Sequence, residues 1–203
     1  NNAPPPFTTS LLQQQASTRL QFSAKKTMLI AQQLYEGIDI GTEGTVGLIT
    51  YMRTDSLRIS AEAQQAAREY ITATYGKDFV PEKSPLYKSK ASAQDAHEAV
   101  RPTYLTNVPE TIKQYLSKDQ LALYKLIWNR FIASQMAPAE LEQTTFEISC
   151  AAEPCKGGPV LRASGSVVKF QGFMALDLGG LTPILYSFIE RDEIVDMLAS
   201  VTG

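Results

Sequence analysis

Apolar residues recur at helical spacing along the first two thirds of the chain, broken by serines, glycines and prolines that mark helix ends. Ser10, with Gln13 three positions on, reads as a capping box opening a helix over Leu11–Leu20. Ser23 caps a second helix, Lys25–Tyr35, where Met28, Leu29, Ala31, Gln32, Leu34 and Tyr35 form a mixed face ended by Glu36-Gly37. Gly41, Gly44 and Gly47 predict a turn-rich connection. Val46, Leu48 and Ile49 favour extended backbone and lead into a strand through Tyr51. Ser60 caps a helix over Ala61–Tyr75, with Gly76 placed to stop it in a left-handed conformation.

Residues 77–92, with Pro81, Pro85 and several lysines, read as loop. Ala93–Val100 reads as a short helix halted by Pro102, because the residue before a proline avoids the helical region. Ser117 and Gln120 form another capping box, after which Leu121, Tyr124, Ile127, Trp128, Phe131 and Ile132 trace one buried helical face that closes before Pro138. The pattern then changes. Thr144–Cys150, Val160–Ala163 and Ser166–Phe170 alternate like strands between Gly/Pro turns. Farther on, Ile184–Ile189 is apolar and Asp192–Ala199 has the composition of an acidic helix. The expectation is an α+β fold, mainly α. A helical domain spans 11–137, and 1–10 with 138–203 make a smaller β-rich domain resembling an arch or barrel. No internal repeat is visible.

Composition narrows the class without naming a function. The 203 residues are 44% hydrophobic and 20% charged, ordinary for a soluble globular protein with one sizeable core or two small ones. No apolar run approaches the roughly 20 residues that cross a bilayer, and no secretory signal pattern is present, so a cytoplasmic protein is expected. The chain opens on Asn1-Asn2-Ala3-Pro4-Pro5-Pro6 and stops at Val201-Thr202-Gly203, which suggests a piece of a longer protein. A net charge of −2 and a pI near 5.5 exclude a globally basic nucleic-acid binder, so any such contact must be local. Cys150 and Cys155, with no histidine nearby, make a poor zinc site and read as reduced thiols on a strand and its turn.

Candidate chemistry concentrates in two stretches. Gly47-Leu48-Ile49-Thr50-Tyr51-Met52-Arg53-Thr54-Asp55-Ser56 delivers Tyr51, Arg53 and Asp55 in alternation, which on a strand puts them on one face. A phenol can form a phosphoester, and a guanidinium can neutralise both phenolate and phosphoryl oxygens. The sole histidine, His97, lies in Gln94-Asp95-Ala96-His97-Glu98-Ala99-Val100-Arg101-Pro102-Thr103. On a helix His97 and Arg101 would stand one turn apart, able to grip a phosphate, with Gln94 and Glu98 on a neighbouring face. Taken singly, Tyr51 reads as core packing and His97 as part of an ordinary charged surface helix.

Together these stretches closely resemble two signature segments of bacterial DNA topoisomerase I, a type IA topoisomerase. Pro4-Pro5-Pro6-Phe7-Thr8-Thr9-Ser10-Leu11-Leu12-Gln13-Gln14-Gln15-Ala16 is similar to the same family, as are Lys25–Met28, Ala31–Gly37 and Ser166–Leu176. The likeness runs from about residue 4 to 176, and Met52 favours the topoisomerase I branch over the topoisomerase III branch. The resemblance implies that Tyr51 attacks a single-strand DNA phosphodiester and keeps the 5′ phosphate as a phosphotyrosine, allowing strand passage and relaxation of negative supercoils without ATP. It implies that Arg53 stabilises charge at the scissile phosphate, that His97 and Asp55 position DNA or relay protons, and that Gln94 and Arg101 border the DNA path.

Chemistry agrees with those roles. A free tyrosine has a pKa of about 10, so only ~0.1% is phenolate at neutral pH, and it needs a cation or proton acceptor nearby. The resemblance also implies Mg²⁺ held by an Asp-x-Asp segment, which this chain lacks; Asp39 is isolated, and Glu190–Asp196 reads as a solvated helix face. The ligands are therefore expected outside this chain, and the chain alone is expected to be inactive. The implied partners are single-stranded DNA at the bacterial nucleoid and the remaining domains of the same polypeptide, acting as a monomer. A tyrosine recombinase or type IB enzyme also uses Tyr, His and Arg, but there the tyrosine generally follows the other motifs. A non-catalytic DNA-binding module and a plain interaction domain are the further alternatives.

Overall fold

In the computed structural model, which describes residues 1–87, 97–149 and 161–176, the first helix begins at Thr8 rather than at Ser10. Thr8 has extended backbone and its hydroxyl accepts from the Leu11 N–H, so it occupies the capping position, and Ser10 falls inside the first turn of α1 (Thr9–Leu20). The other caps stand where the sequence puts them. Ser23 opens α2 (Ala24–Glu36), Ser60 opens α3 (Ala61–Tyr75), and Ser117 with Gln120 forms a complete capping box on α5 (Lys118–Ser134). A single-turn α4 (Pro109–Ile112) precedes α5. Gly76 ends α3 at positive φ, but with φ 103° and ψ 166° it is not in the left-handed helical region; its N–H bonds back to Ile71 and Thr72.

Between α2 and α3 the chain makes a small hairpin, β1 (Ile38–Asp39) with β2 (Thr45–Val46), around a tight turn at Gly41–Glu43. Helices α1, α2 and α5 pack on one another and bury Leu12, Ala16, Ile30, Leu34, Leu123, Ile127 and Phe131. Each such aliphatic or aromatic side chain contributes about 1.5–3 kcal/mol on burial. From α3, Ala63, Ala67 and Ile71 join the core, and the Tyr70 ring meets Trp128 edge-on at 5.6 Å. Tyr124 is wholly buried, yet its hydroxyl is satisfied by the Asn107 carbonyl at 2.7 Å. Arg130 on α5 is buried with its guanidinium over the Phe7 ring, 4.7 Å from the centroid.

After α5 the structure becomes a long antiparallel hairpin, β3 (Glu140–Ile148) with β4 (Leu161–Phe170). The stretches 160–163 and 166–170 are expected as separate strands, but the described residues 161–170 form one: Ser164 and Gly165 continue the ladder opposite Thr145 and Thr144. Ion pairs Glu142–Lys169 and Glu147–Arg162 face each other across it, and most of the hairpin is exposed. Its base is tied to the helical part by the Phe79–Phe170 ring contact at 4.9 Å, and Asn1 pairs with Ala139 through two bonds of 2.7 and 2.9 Å. The fold is α+β and mainly α. Cys150, Cys155, Gln94 and the segments expected over 177–203 lie outside the described residues.

Two expectations around the candidate chemistry change. Residues 51–55 do not form a strand, and the described part of the expected 93–100 helix, residues 97–100, is not helical. Val100 instead makes a bridge with Phe7, its N–H bonding the Phe7 carbonyl at 2.8 Å, and this long-range pairing outweighs the local helical pattern. Both departures follow long-range contacts with the segment before and at the start of α1: Thr9 bonds the backbone at Met52 and Thr54, and Phe7 pairs with Val100.

Gly47 permits the approach of α2 to the candidate site. A methyl group there would sit 2.7 Å from the Tyr35 carbonyl oxygen, against backbone that cannot swing away. Gly47→Ala is expected to lower stability by about 1–3 kcal/mol in urea unfolding, and an unchanged midpoint would contradict the close approach.

Candidate active site

Leu48–Thr50 and Arg101–Thr103 run antiparallel. The Thr50 N–H bonds the Arg101 carbonyl at 2.9 Å and the Thr103 N–H bonds Leu48 at 3.1 Å, making Ile49 and Pro102 a pair that needs no hydrogen bond of its own. A proline, which has no N–H, fits that position without loss. The Thr50 hydroxyl adds a second tie, donating to the Ala99 carbonyl at 2.8 Å and accepting from the Arg101 N–H at 3.0 Å. The Thr103 hydroxyl donates to Gly47 at 2.6 Å, and Leu48 N–H reaches back to the Leu34 carbonyl on α2 at 2.7 Å. Sequence segments some fifty residues apart are thus joined through their backbones.

That crossing presents Tyr51 and His97 to each other. Their ring centroids lie 5.9 Å apart, and the Tyr51 ring also meets Tyr35 of α2 edge-on at 5.4 Å. Tyr51 is 41% exposed, so its phenol is accessible and not part of the core. Exposure then alternates along the chain: Met52, Thr54 and Ser56 are buried while Tyr51, Arg53 and Asp55 are exposed. The expected alternation therefore survives without the expected strand. Arg53 and Asp55 have no hydrogen-bond or ion-pair partner among the described residues, leaving a cation and a carboxylate available in sequence beside the phenol.

Arg101 stands differently. It is not one helical turn from His97, because residues 97–100 form no helix. Its Nε donates to Glu98 at 2.7 Å and Nη1 to the Pro102 carbonyl at 2.8 Å, with the two charged side chains only 13% and 21% exposed. These contacts pin the His97–Thr103 segment and leave part of the guanidinium fork for other work. Two further residues could not be picked out by sequence reasoning. Tyr35 read as part of a mixed helical face, and Thr9 stood in a family-like stretch with no role of its own.

A flatter groove of about 420 Å³ lies behind Arg101, between α3 and residues 101–106, lined by Ala63, Glu69, Tyr70, Thr103, Tyr104 and Phe131. Among the described residues no three of His, Cys, Asp and Glu come together as a metal-binding group. No helix among them is long and apolar enough to cross a membrane.

With this geometry in view, the comparison with known proteins is direct: residues 1–183 match the DNA topoisomerase family. The chain belongs to the bacterial DNA topoisomerase family. The structure of full-length topoisomerase I from Thermotoga maritima is 44% identical, with a TM-score of 0.69 over 86% of this chain and 27% of that one. The chain thus spans about a quarter of that relative's length. The type IA resemblance read from the sequence is borne out, and membership in this topoisomerase family sets aside the tyrosine recombinase and type IB reading.

The half-buried Glu98–Arg101 ion pair gives a test of how the topoisomerase fold holds His97 in place. Glu98→Ala leaves the Arg101 guanidinium without its carboxylate and is expected to cost about 2 kcal/mol in urea unfolding. A change within measurement error would mean that the pair adds nothing to the crossing.

Proposed function

We propose that this chain is the gate portion of a type IA topoisomerase and that Tyr51 is its nucleophile. The observation that carries the reading is the exposed Tyr51 phenol beside the His97 ring, on a backbone crossing that unites the two signature segments. The helical unit over 11–137 bears the nucleophile, and the strands from 138 onward begin the arch. The chain works with the remaining domains of the same polypeptide, as a monomer, on a single-stranded stretch of DNA at the nucleoid.

In the reaction the Tyr51 oxygen attacks the phosphorus of one DNA strand. A bond forms between the phenolic oxygen and the 5′ phosphate, and the bond from phosphorus to the 3′ oxygen breaks. The phenolic proton leaves through a neighbouring base or water, and the 3′ oxygen departs as a hydroxyl. His97, whose ring lies beside Tyr51, relays a proton, Arg53 offers charge to the phosphoryl oxygens, and Asp55 orients the strand or its water. The phosphotyrosine conserves the ester, so the freed 3′ hydroxyl attacks it and restores the strand without ATP. Arg101 and Gln94 border the DNA path.

The Mg²⁺ implied by the resemblance does not fit the described residues around Tyr51. Their carboxylates are scattered, and Glu98 is committed to Arg101. We therefore place its ligands outside this chain and route no step through it. By itself the chain is expected to bind single-stranded DNA weakly, with affinity falling as salt rises, and to relax no supercoils. Robust relaxation by the purified chain with Mg²⁺ would contradict that incomplete site.

The direct test of the nucleophile uses the full-length polypeptide carrying this chain. Tyr51→Phe is expected to abolish covalent trapping of the 5′ end while leaving single-stranded DNA affinity within about twofold. Covalent complex persisting in this variant would place the nucleophile elsewhere, and attachment to the 3′ phosphate would contradict type IA chemistry.

A further inference from the structure

The segment Phe7-Thr8-Thr9, part of the family-like opening stretch, is not used by the proposed reaction, yet it lies against both stretches that are. Phe7 bridges Val100, three residues after His97. Thr9 reaches the other stretch. Its hydroxyl donates to the Met52 carbonyl at 2.7 Å, lies 3.0 Å from the Thr54 carbonyl, and accepts from the Thr54 N–H at 2.8 Å. The Thr9 N–H also bonds the Thr54 carbonyl at 2.9 Å. A hydroxyl has one hydrogen and two lone pairs, and here the hydrogen and one lone pair are taken by the backbone on either side of Arg53.

We propose that Thr9 is a positioning residue for Arg53, its hydroxyl standing in for the neighbouring strand that residues 52–54 lack. The inference rests on the reading of Tyr51 and Arg53 given above. Without a strand ladder, the backbone flanking Arg53 has few other restraints: the Met52 and Thr54 side chains are buried on one side, and Arg53 projects on the other. Anchored to the first residue of α1, that backbone is tied directly to the helix. A guanidinium displaced by about 1 Å from a phosphoryl oxygen loses much of its effect on rate while still attracting DNA.

Thr9→Val keeps the shape and removes the hydroxyl, and Thr9→Ser keeps the hydroxyl. In the full-length polypeptide, the rate of covalent trapping at saturating single-stranded DNA is expected to fall about tenfold in Thr9→Val and to be retained in Thr9→Ser. DNA affinity should stay within about twofold in both, a split that general loss of structure would not give. In an Arg53→Ala background, Thr9→Val should cost less than about twofold further, because Thr9 acts through Arg53. Should Thr9→Val fail to fold, Thr9→Cys, whose thiol is a weak donor, replaces it in the same cycle.

An unchanged trapping rate in Thr9→Val, a full additional loss in the Arg53→Ala background, or unfolding of both substitutes would overturn the proposal. The Tyr51→Phe control separates this failure from that of the wider reading. If Tyr51→Phe still forms covalent complex, the nucleophile assignment fails whatever Thr9 does. If Tyr51→Phe is inert and Thr9→Val is unimpaired, only the role of Thr9 falls.

Discussion

Buried backbone amides must find partners, and around the candidate site they find them across long sequence distances. Segments 7–9, 48–54 and 97–103 meet without forming a regular sheet: two isolated bridges supply the ladder, and the hydroxyls of Thr9, Thr50 and Thr103 supply the rest. Nearly every property of the site follows from that arrangement. The hydrogen bonds hold Met52 and Thr54 inward, so Tyr51, Arg53 and Asp55 turn outward. The same crossing carries His97 to the Tyr51 ring, although the two are far apart in sequence. Side-chain hydroxyls suit this work because they bond backbone at an angle where two strands diverge, where a ladder cannot continue.

Charge is distributed to match. A chain with net charge −2 cannot draw DNA by its overall field, so attraction must arise close to the site. Several cations are occupied in the structure: Arg68 donates to the Pro81 carbonyl, Lys26 pairs with Asp119, and Arg101 with Glu98. Arg53 has no such partner among the described residues, and it follows Tyr51 by two positions. An unpaired guanidinium at an exposed site retains its full capacity for phosphate oxygens. Arg101, by contrast, spends its strongest hydrogen bonds within the fold.

Local chemistry was legible in the sequence where it acts locally. Ser23, Ser60 and Ser117 cap helices because a hydroxyl before an apolar periodic stretch satisfies an orphan amide there, whatever lies elsewhere. Thr8 was missed in favour of Ser10 because adjacent hydroxyl residues offer rival caps, and backbone geometry alone decides between them. The family and the paired motifs were also legible, since residue identity carries them. The strand through Tyr51 and the helix over 93–100 were misread for a shared reason. Alternating burial at 51–56 is produced by tertiary contacts as readily as by a pleated strand, and the i, i+3 pair Glu98–Arg101 forms here without a helix. Thr9 stood within a family-like stretch, but its contacts were not legible, because its partners lie over forty positions away.

The most direct measurement is to identify the residue that carries DNA after cleavage. Trypsin cutting after Lys26 and Arg53 releases residues 27–53, a peptide holding both Tyr35 and Tyr51, so fragment-ion mass spectrometry of trapped, nuclease-trimmed complex must assign the modified ring. The account predicts a 5′-linked nucleotide on Tyr51. A nucleotide found on Tyr35, on any other residue, or linked through its 3′ phosphate would contradict it.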